Sequence, residues 1–306
     1  MKDNAMAKAP NKPLKKAATS AGKTPRGRAK TSPYFTEKNS VKVVQTRCGP
    51  QASPRAKQLN DSLVKHLHAF IKETEPTLEE WMQGVQFLTR TGHLSTDWRQ
   101  EFILLSDVLG VSMLVETINN RKPGGETEST VLGPFHISDA PRYRNGANIC
   151  LDGKGERLHV SGSVRDVKGK PIAGATLDVW QANGDGFYDV QQKGVQPEHN
   201  LRGVFTADAD GTFHFLSVYP RYYPIPDDGS VGDLLRALDR QPFRPAHIHF
   251  IVSAPGYKPV TTHIFTPDCP WLKDDAVFGV KESLIADFRK TGDYWEVEWN
   301  FVLSKA

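Results

Sequence analysis

Arg244-Pro-Ala-His-Ile-His-Phe250 is the stretch on which the fold turns. Its two histidines are two residues apart. On an extended strand that spacing puts both side chains on one face, whereas on a helix they would diverge by about 200°. A shared task for His247 and His249 therefore requires a strand, expected over Ala246 to Ser253. The chain around it reads the same way. After Pro123-Gly-Gly125, short β-branched and aromatic runs alternate with Gly, Pro, Asn and Asp turns at the spacing of an all-β sandwich. Further strands are expected at Arg157 to Arg165, Ala175 to Gln181, Val204 to Ala207, Thr212 to Val218, Val260 to Thr266 and Tyr294 to Leu303, making at least seven.

Upstream the period changes. From Ser53 to about Lys122 apolar residues recur at helical spacing, beginning with Leu59, Leu63, Leu67, Phe70 and Ile71. Ser53-Pro54 predicts an N-cap followed by proline at the first helical position, and Thr77-Leu-Glu-Glu80 predicts a capping box for a second helix. A third helix is expected after Asp97, running from Trp98 to Ile118 and apolar on more than one side, as in a helix packed between neighbours or in a subunit interface. Asp107 within it either joins a solvated stripe or turns toward a polar pocket, because a buried carboxylate needs partners. The expected organisation is a basic disordered tail (1–45), a helical domain (46–125) and a β-sandwich (126–306).

Charge is unevenly spread. Residues 1–40 hold ten Lys or Arg against two acids, a balance of +8, so with a total of +4 the remainder carries −4. A tail so rich in Lys, Ala, Pro, Ser and Thr buries little and is expected to stay solvated, and the folded part is not expected to bind nucleic acid. The three cysteines Cys48, Cys150 and Cys269 lack C-x-x-C spacing, which speaks against a disulfide framework or structural zinc and fits a reducing compartment. Neither an eighteen-residue apolar run nor a secretory signal is present, so a soluble cytoplasmic protein is expected.

Tyr188, in the turn Asn183-Gly-Asp-Gly-Phe-Tyr-Asp189, and Tyr223, in Arg221-Tyr-Tyr-Pro-Ile-Pro226, complete a candidate ligand set with His247 and His249. The prolines stiffen the second loop. Phenolate oxygens are hard anionic donors suited to a trivalent cation, while zinc draws on His, Cys and carboxylate, and the ferrous oxygenase triad on two His and a carboxylate. The implied ion is Fe(III). Arg244, three residues before the first histidine, adds a fixed positive charge. Each feature alone is commonplace: His-x-His occurs in ordinary strands, and a turn tyrosine usually packs its ring and leaves its hydroxyl in water.

Their surroundings carry more. Pro171-Ile-Ala-Gly-Ala175, Asp178-Val-Trp-Gln-Ala-Asn183, Asn200-Leu-Arg-Gly203, Tyr223-Pro-Ile-Pro226, Asp228-Gly-Ser-Val-Gly232, Arg244-Pro-Ala-His-Ile-His249, Ser253-Ala-Pro-Gly-Tyr257 and Asp275-Ala-Val-Phe-Gly-Val280 together resemble the catalytic domain of the intradiol ring-cleaving dioxygenases. The helical half resembles the N-terminal part of the subgroup acting on free catechols. Among them, Glu101-Phe-Ile-Leu-Leu-Ser-Asp-Val-Leu-Gly110, Val131-Leu-Gly-Pro-Phe135 and Thr261-Thr-His-Ile-Phe265 are most similar to the enzymes of hydroxyquinol (1,2,4-trihydroxybenzene).

The resemblance implies a prealbumin-like catalytic sandwich with a helical dimerisation part, and Fe(III) held by Tyr188, Tyr223, His247 and His249. It further implies that Tyr223 takes a substrate proton and that Arg244 stabilises negative charge developing during ring cleavage. Leu104, Val131, Gly133, Ile225 and Pro226 become pocket walls, and Asp107 an acceptor for the third hydroxyl. His263 stands where many catechol enzymes have glutamine. Substrates would be an aromatic diol or triol and O2, with no external reductant, which agrees with the lack of a dinucleotide fingerprint, phosphate loop or iron–sulfur cysteine set. A homodimer through the helices is implied, and in relatives such helices can enclose a lipid. The alternatives are an enzyme of catechol or chlorocatechol, a prealbumin-like binding module built on the Gly162-to-Ala175 pattern, and a helical adaptor with a degenerate sandwich. Intact ligands disfavour the last two.

Overall fold

The computed structural model describes residues 32–96, 99–122 and 124–306. The tail up to residue 31, the expected third-helix start at Asp97 and Trp98, and Pro123 lie outside the described residues. The expected disorder does not extend to residue 45: Glu37–Asn39 form a 3₁₀ turn and Ser40–Gln45 the short helix α1. The physical reason is local capping followed by docking on the next helix. Thr36 and Asn39 cap each other, Gln45 Nε2 donates to the Asp61 carbonyl at 2.8 Å, and Ser40 Oγ meets His68 Nδ1 at 3.1 Å.

The chain divides into two compact units, residues 1–81 and 82–306. The first holds α1, α2 (Pro54–Thr74) and the start of α3 (Leu78–Leu94). Both predicted caps form. Ser53 Oγ accepts from Ala56 N at 3.1 Å, and Thr77 and Glu80 satisfy each other's backbone N–H at 2.8 and 3.1 Å.

In the second unit the expected single third helix is two: α4 (Glu101–Val108) and α5 (Val111–Asn119). Gly110 breaks it at φ +71°, a left-handed conformation that glycine adopts freely. A Cβ there would also meet the Phe278 ring at 3.3 Å. Arg240 donates to the Val108 carbonyl at the end of α4 (2.6 Å) and to the Ala276 carbonyl (3.1 Å).

The strands follow: β1 (Arg157–Asp166), β2 (Thr176–Trp180), β3 (Arg202–Thr206), β4 (Thr212–Val218) and β5 (Tyr223–Pro224). Helix α6 (Ser230–Ala237) intervenes, then β6 (Phe243–Arg244), β7 (His247–Ser253), β8 (Val260–Phe265), β9 (Phe288–Thr291) and β10 (Tyr294–Leu303). All seven expected strands are present, while α6, β9 and the two-residue strands β5 and β6 are additional. One four-stranded sheet runs β4-β1-β10-β9, a second β3-β2-β7-β8, and β5 pairs β6. Within the four-stranded sheets only β1–β10 is parallel.

Between the sheets lies the main core, including Leu158, Leu177, Phe205, Phe213, Phe215, Ile248, Phe250 and Phe301, all essentially inaccessible. Fully burying one such Leu or Phe contributes about 1.5–3 kcal/mol. A second cluster joins Val108 of α4 to Val231 and Leu235 of α6, Ile225, Ala276 and Val277. Glu101, wholly buried at the start of α4, accepts from Val231 N at 3.1 Å and pairs with Arg99 at 2.9 Å, so its charge meets the N-terminal end of α6. Helices α4 and α6 are thereby joined to one another and to the segments holding Ile225 and Ala276–Val277.

Candidate active site

Strand register gathers the site. Because β7 is central in its sheet, His249 faces Trp180 of β2 on one side and His263 of β8 on the other. Residues paired across neighbouring strands point to the same face, so a row of indole and two imidazoles lies on one surface, with His247 on that face two residues earlier. Trp180 stacks on His249 at 4.5 Å between ring centres. The β5–β6 pair sets Tyr223 opposite Arg244.

Tyr188 arrives from the loop after β2, which Asn183 shapes by accepting from Asp185 N (3.0 Å) and Phe187 N (3.2 Å). Next to it, Asp189 binds Arg202 of β3 at 2.6 Å, both residues buried, and accepts from His199 N at 3.0 Å. This buried ion pair anchors the loop to the sheet.

The four candidate ligands meet in a chain of short distances. Tyr188 Oη lies 3.3 Å from Tyr223 Oη, which lies 3.5 Å from His247 Nε2, which in turn lies 3.0 Å from His249 Nε2. All four residues are buried. His247 Nδ1 donates to the Pro245 carbonyl at 2.6 Å; a carbonyl only accepts, so the remaining lone pair of His247 is on Nε2, facing His249. Donors about 2.0–2.1 Å from a common ion lie about 3.0–3.4 Å apart at right-angle or tetrahedral disposition, which the spacing matches. Among the described residues, the ring nitrogens of His247, His249 and His263 all lie within 4.8 Å of one another.

Electrostatics points the same way. Burial pushes the Tyr188 phenol well above its usual range, and neighbouring Tyr223 adds to this, with Arg244 and Arg202 only partly opposing. Tyr223 is also raised by burial, against the pull of Arg244 and Tyr188. His247, His249 and His263 are held well below the usual imidazole range, first by burial and then by positive neighbours. Without a cation this is a neutral pocket; a bound cation reverses the penalty on phenolate and favours the neutral imidazoles it needs.

Arg244 is buried with Nη1 3.5 Å from His247 Nε2. Asp275 faces it fork to fork, Nε to Oδ1 at 3.3 Å and Nη2 to Oδ2 at 3.5 Å. The carboxylate is aimed by Val277 N (3.2 Å) and Gly279 N (2.8 Å). The paired charge keeps Arg244 protonated despite its burial.

The proposed wall residues are distributed around this centre. Leu104 packs with Ile225 in the second apolar cluster. Val131 follows Thr130, whose Oγ1 lies 3.3 Å from His263 Nδ1. Gly133, at φ +76°, lies against His249, since a Cβ there would stand 3.2 Å from His249 Cε1. Pro226 is half-buried beside Ile225. Asp107 is half-buried; burial raises its carboxyl, while Ser112, Arg244 and Asp275 all act on it. His263 has its ring centre 4.1 Å from that of His249.

Sequence reading gave no role to Asp275, to the Arg202–Asp189 pair or to Trp180 as a stacking platform. Asp275 stood in a stretch quoted only for its resemblance, and its partner Arg244 lies 31 residues away.

Two family models match the chain: "Catechol dioxygenase N terminus" over residues 53–127 and "Dioxygenase" over residues 131–305. The chain is 54% identical over 285 residues to the hydroxyquinol 1,2-dioxygenase of Rhizobium sp. (strain MTP-10005), covering 89% of this chain and 97% of that one. It is 48% identical over 271 residues to the 6-chlorohydroxyquinol 1,2-dioxygenase of Cupriavidus pinatubonensis, covering 88% and 98%. The crystal structure of hydroxyquinol 1,2-dioxygenase from Pseudomonas putida DLL-E4 superposes with a TM-score of 0.83 at 43% identity, covering 88% of this chain and 97% of that one.

Proposed function

The chain belongs to the intradiol ring-cleavage dioxygenases, and from that premise we propose that it cleaves hydroxyquinol between its adjacent hydroxyls, at Fe(III), to 3-hydroxy-cis,cis-muconate, the tautomer of maleylacetate. The carrying observation is the buried chain of two phenol oxygens and two imidazole nitrogens at 3.0–3.5 Å beside Arg244. That donor set fits a hard trivalent ion. Tyr188, Tyr223, His247 and His249 would hold it. When bound, the ion supplies Lewis-acid lowering of the substrate's phenol pKa and draws electron density from the catecholate, which opens the ring to O2.

The chain's own residues account for the rest. Tyr223, as the phenolate, accepts a proton from a substrate hydroxyl at its Oη; burial raises its basicity and the neighbouring Arg244 tempers it. Arg244, its orientation fixed by Asp275, holds positive charge where negative charge develops during C–C cleavage. Asp107 accepts a hydrogen bond from the third hydroxyl, which catechol lacks. Leu104, Val131, Gly133, Ile225 and Pro226 exclude water around the ring, and His263 borders the substrate from β8. Both oxygen atoms enter the product and no reductant is consumed. A homodimer through the helices, a cytoplasmic location and a domain boundary near residue 125 complete this reading. Among the described residues no helix is long and apolar enough to cross a membrane, and the three cysteines are free.

The test is a visible spectrum of the iron-loaded protein followed by oxygen uptake with hydroxyquinol and catechol separately. A phenolate-to-iron band and faster uptake with hydroxyquinol are expected. Tyr188→Phe should abolish that band or the iron itself; a Tyr188→Phe protein with the full band sinks the ligand assignment.

A further inference from the structure

The Tyr188, Tyr223, His247 and His249 set leaves one converging donor unused. His263 is fully buried and its Nε2 has no hydrogen-bond partner among the described residues. Its other nitrogen is engaged: Nδ1 lies 3.3 Å from Thr130 Oγ1, and donating there leaves the Nε2 lone pair free. His247, whose Nδ1 donates to the Pro245 carbonyl, likewise keeps its lone pair on Nε2. The third, His249, is fixed by stacking on Trp180 and by its place between β2 and β8.

We propose that His247, His249 and His263 form a second, three-imidazole ligand set in the same cavity, which takes a divalent borderline ion such as zinc or cobalt(II) without using either tyrosine. Three neutral imidazoles are a known zinc set that leaves a fourth position open, and late divalent ions prefer imidazole where trivalent iron prefers phenolate. The trio spans up to 4.8 Å, whereas two nitrogens of a tetrahedral set lie about 3.4 Å apart at metal–nitrogen lengths near 2.1 Å. A shift of roughly 1.4 Å in the His263 ring closes the set. The cavity then chooses between two ion classes by engaging either the phenols or His263, so a divalent ion competes with iron for His247 and His249.

Metal-free full-length protein is titrated with cobalt(II), reading the visible d–d absorption and the dissociation constant. Wild type should bind one ion per chain, Tyr188→Phe should bind within about threefold of wild type, and His263→Gln should bind about 100-fold more weakly. Equal affinity of wild type and His263→Gln, or a loss in Tyr188→Phe as large as in His263→Gln, overturns the proposal. X-ray absorption at the zinc edge of the wild-type zinc form needs no variant: three imidazoles support the set, and two overturn it. The iron reading is separately judged by the phenolate band, so either can fail alone.

Discussion

Asp107 shows how one side chain carries both a cost and a function. Its carboxyl is raised by burial, and Ser112 and Arg244 only partly oppose this. A carboxyl whose folded pKa exceeds its unfolded one weakens the fold above the usual carboxylate range, and the penalty is relieved as pH falls through the raised value. Asp107→Asn should therefore raise Tm at neutral pH while lowering kcat/KM for hydroxyquinol more than for catechol. In the wild type the hydroxyquinol preference should fade as acid protonates Asp107, and in the variant that pH dependence should be flat. Equal losses on both substrates would remove the assigned hydroxyl contact. Arg244 differs, because its charge is needed in the reaction and in its pair with Asp275. Arg244→Lys keeps one charge but loses the two-pronged geometry, so kcat should fall by about 10²–10³ with KM little changed, as steady-state kinetics with saturating O2 would record.

At the scale of elements, the site depends on the β2–β7–β8 register, the β5–β6 pair and the loops that hold Tyr188 and Gly133. The Val131-to-Phe135 loop passes so close to His249 that glycine is required at Gly133, both for its φ of +76° and because a Cβ would lie 3.2 Å from His249 Cε1. Gly133→Ala should cost about 1–2 kcal/mol in backbone strain and reduce bound iron, measurable by thermal unfolding and metal analysis. Leu132→Ala, at a half-exposed neighbour, is the control expected to change neither. The caps of α2 and α3 were legible because N-cap chemistry is local. The break between α4 and α5 was not, since apolar periodicity continues through Leu109 and Val111, and a single glycine outweighs it only once Phe278 occupies the space beside it.

For the whole molecule, the apolar stripes of the helices are left exposed among the described residues. Leu59, Leu63, Leu67, Phe70 and Ile71 of α2 are exposed, as are Leu114, Val115 and Ile118 of α5. Soluble chains rarely leave such stripes in water, which supports the proposed homodimer. Leu63→Glu combined with Leu67→Glu, both at exposed positions, should leave the monomer's fold intact and shift sedimentation from dimer toward monomer. An unchanged mass would place the interface elsewhere.

Local chemistry decided what the sequence alone could reveal: the two-residue spacing that makes β7 a strand, the strand runs, the helix caps, and the candidate donors proposed at Tyr188, Tyr223, His247 and His249. Tertiary structure alone decided what long-range pairing controls. The β7–β8 register sets His263 beside His249, the Arg244–Asp275 pair spans 31 residues, and the buried Arg202–Asp189 bridge anchors the Tyr188 loop. Spacing along a chain encodes which face a side chain takes on its own element, whereas the neighbour it meets depends on how distant strands align, a quantity no short stretch contains.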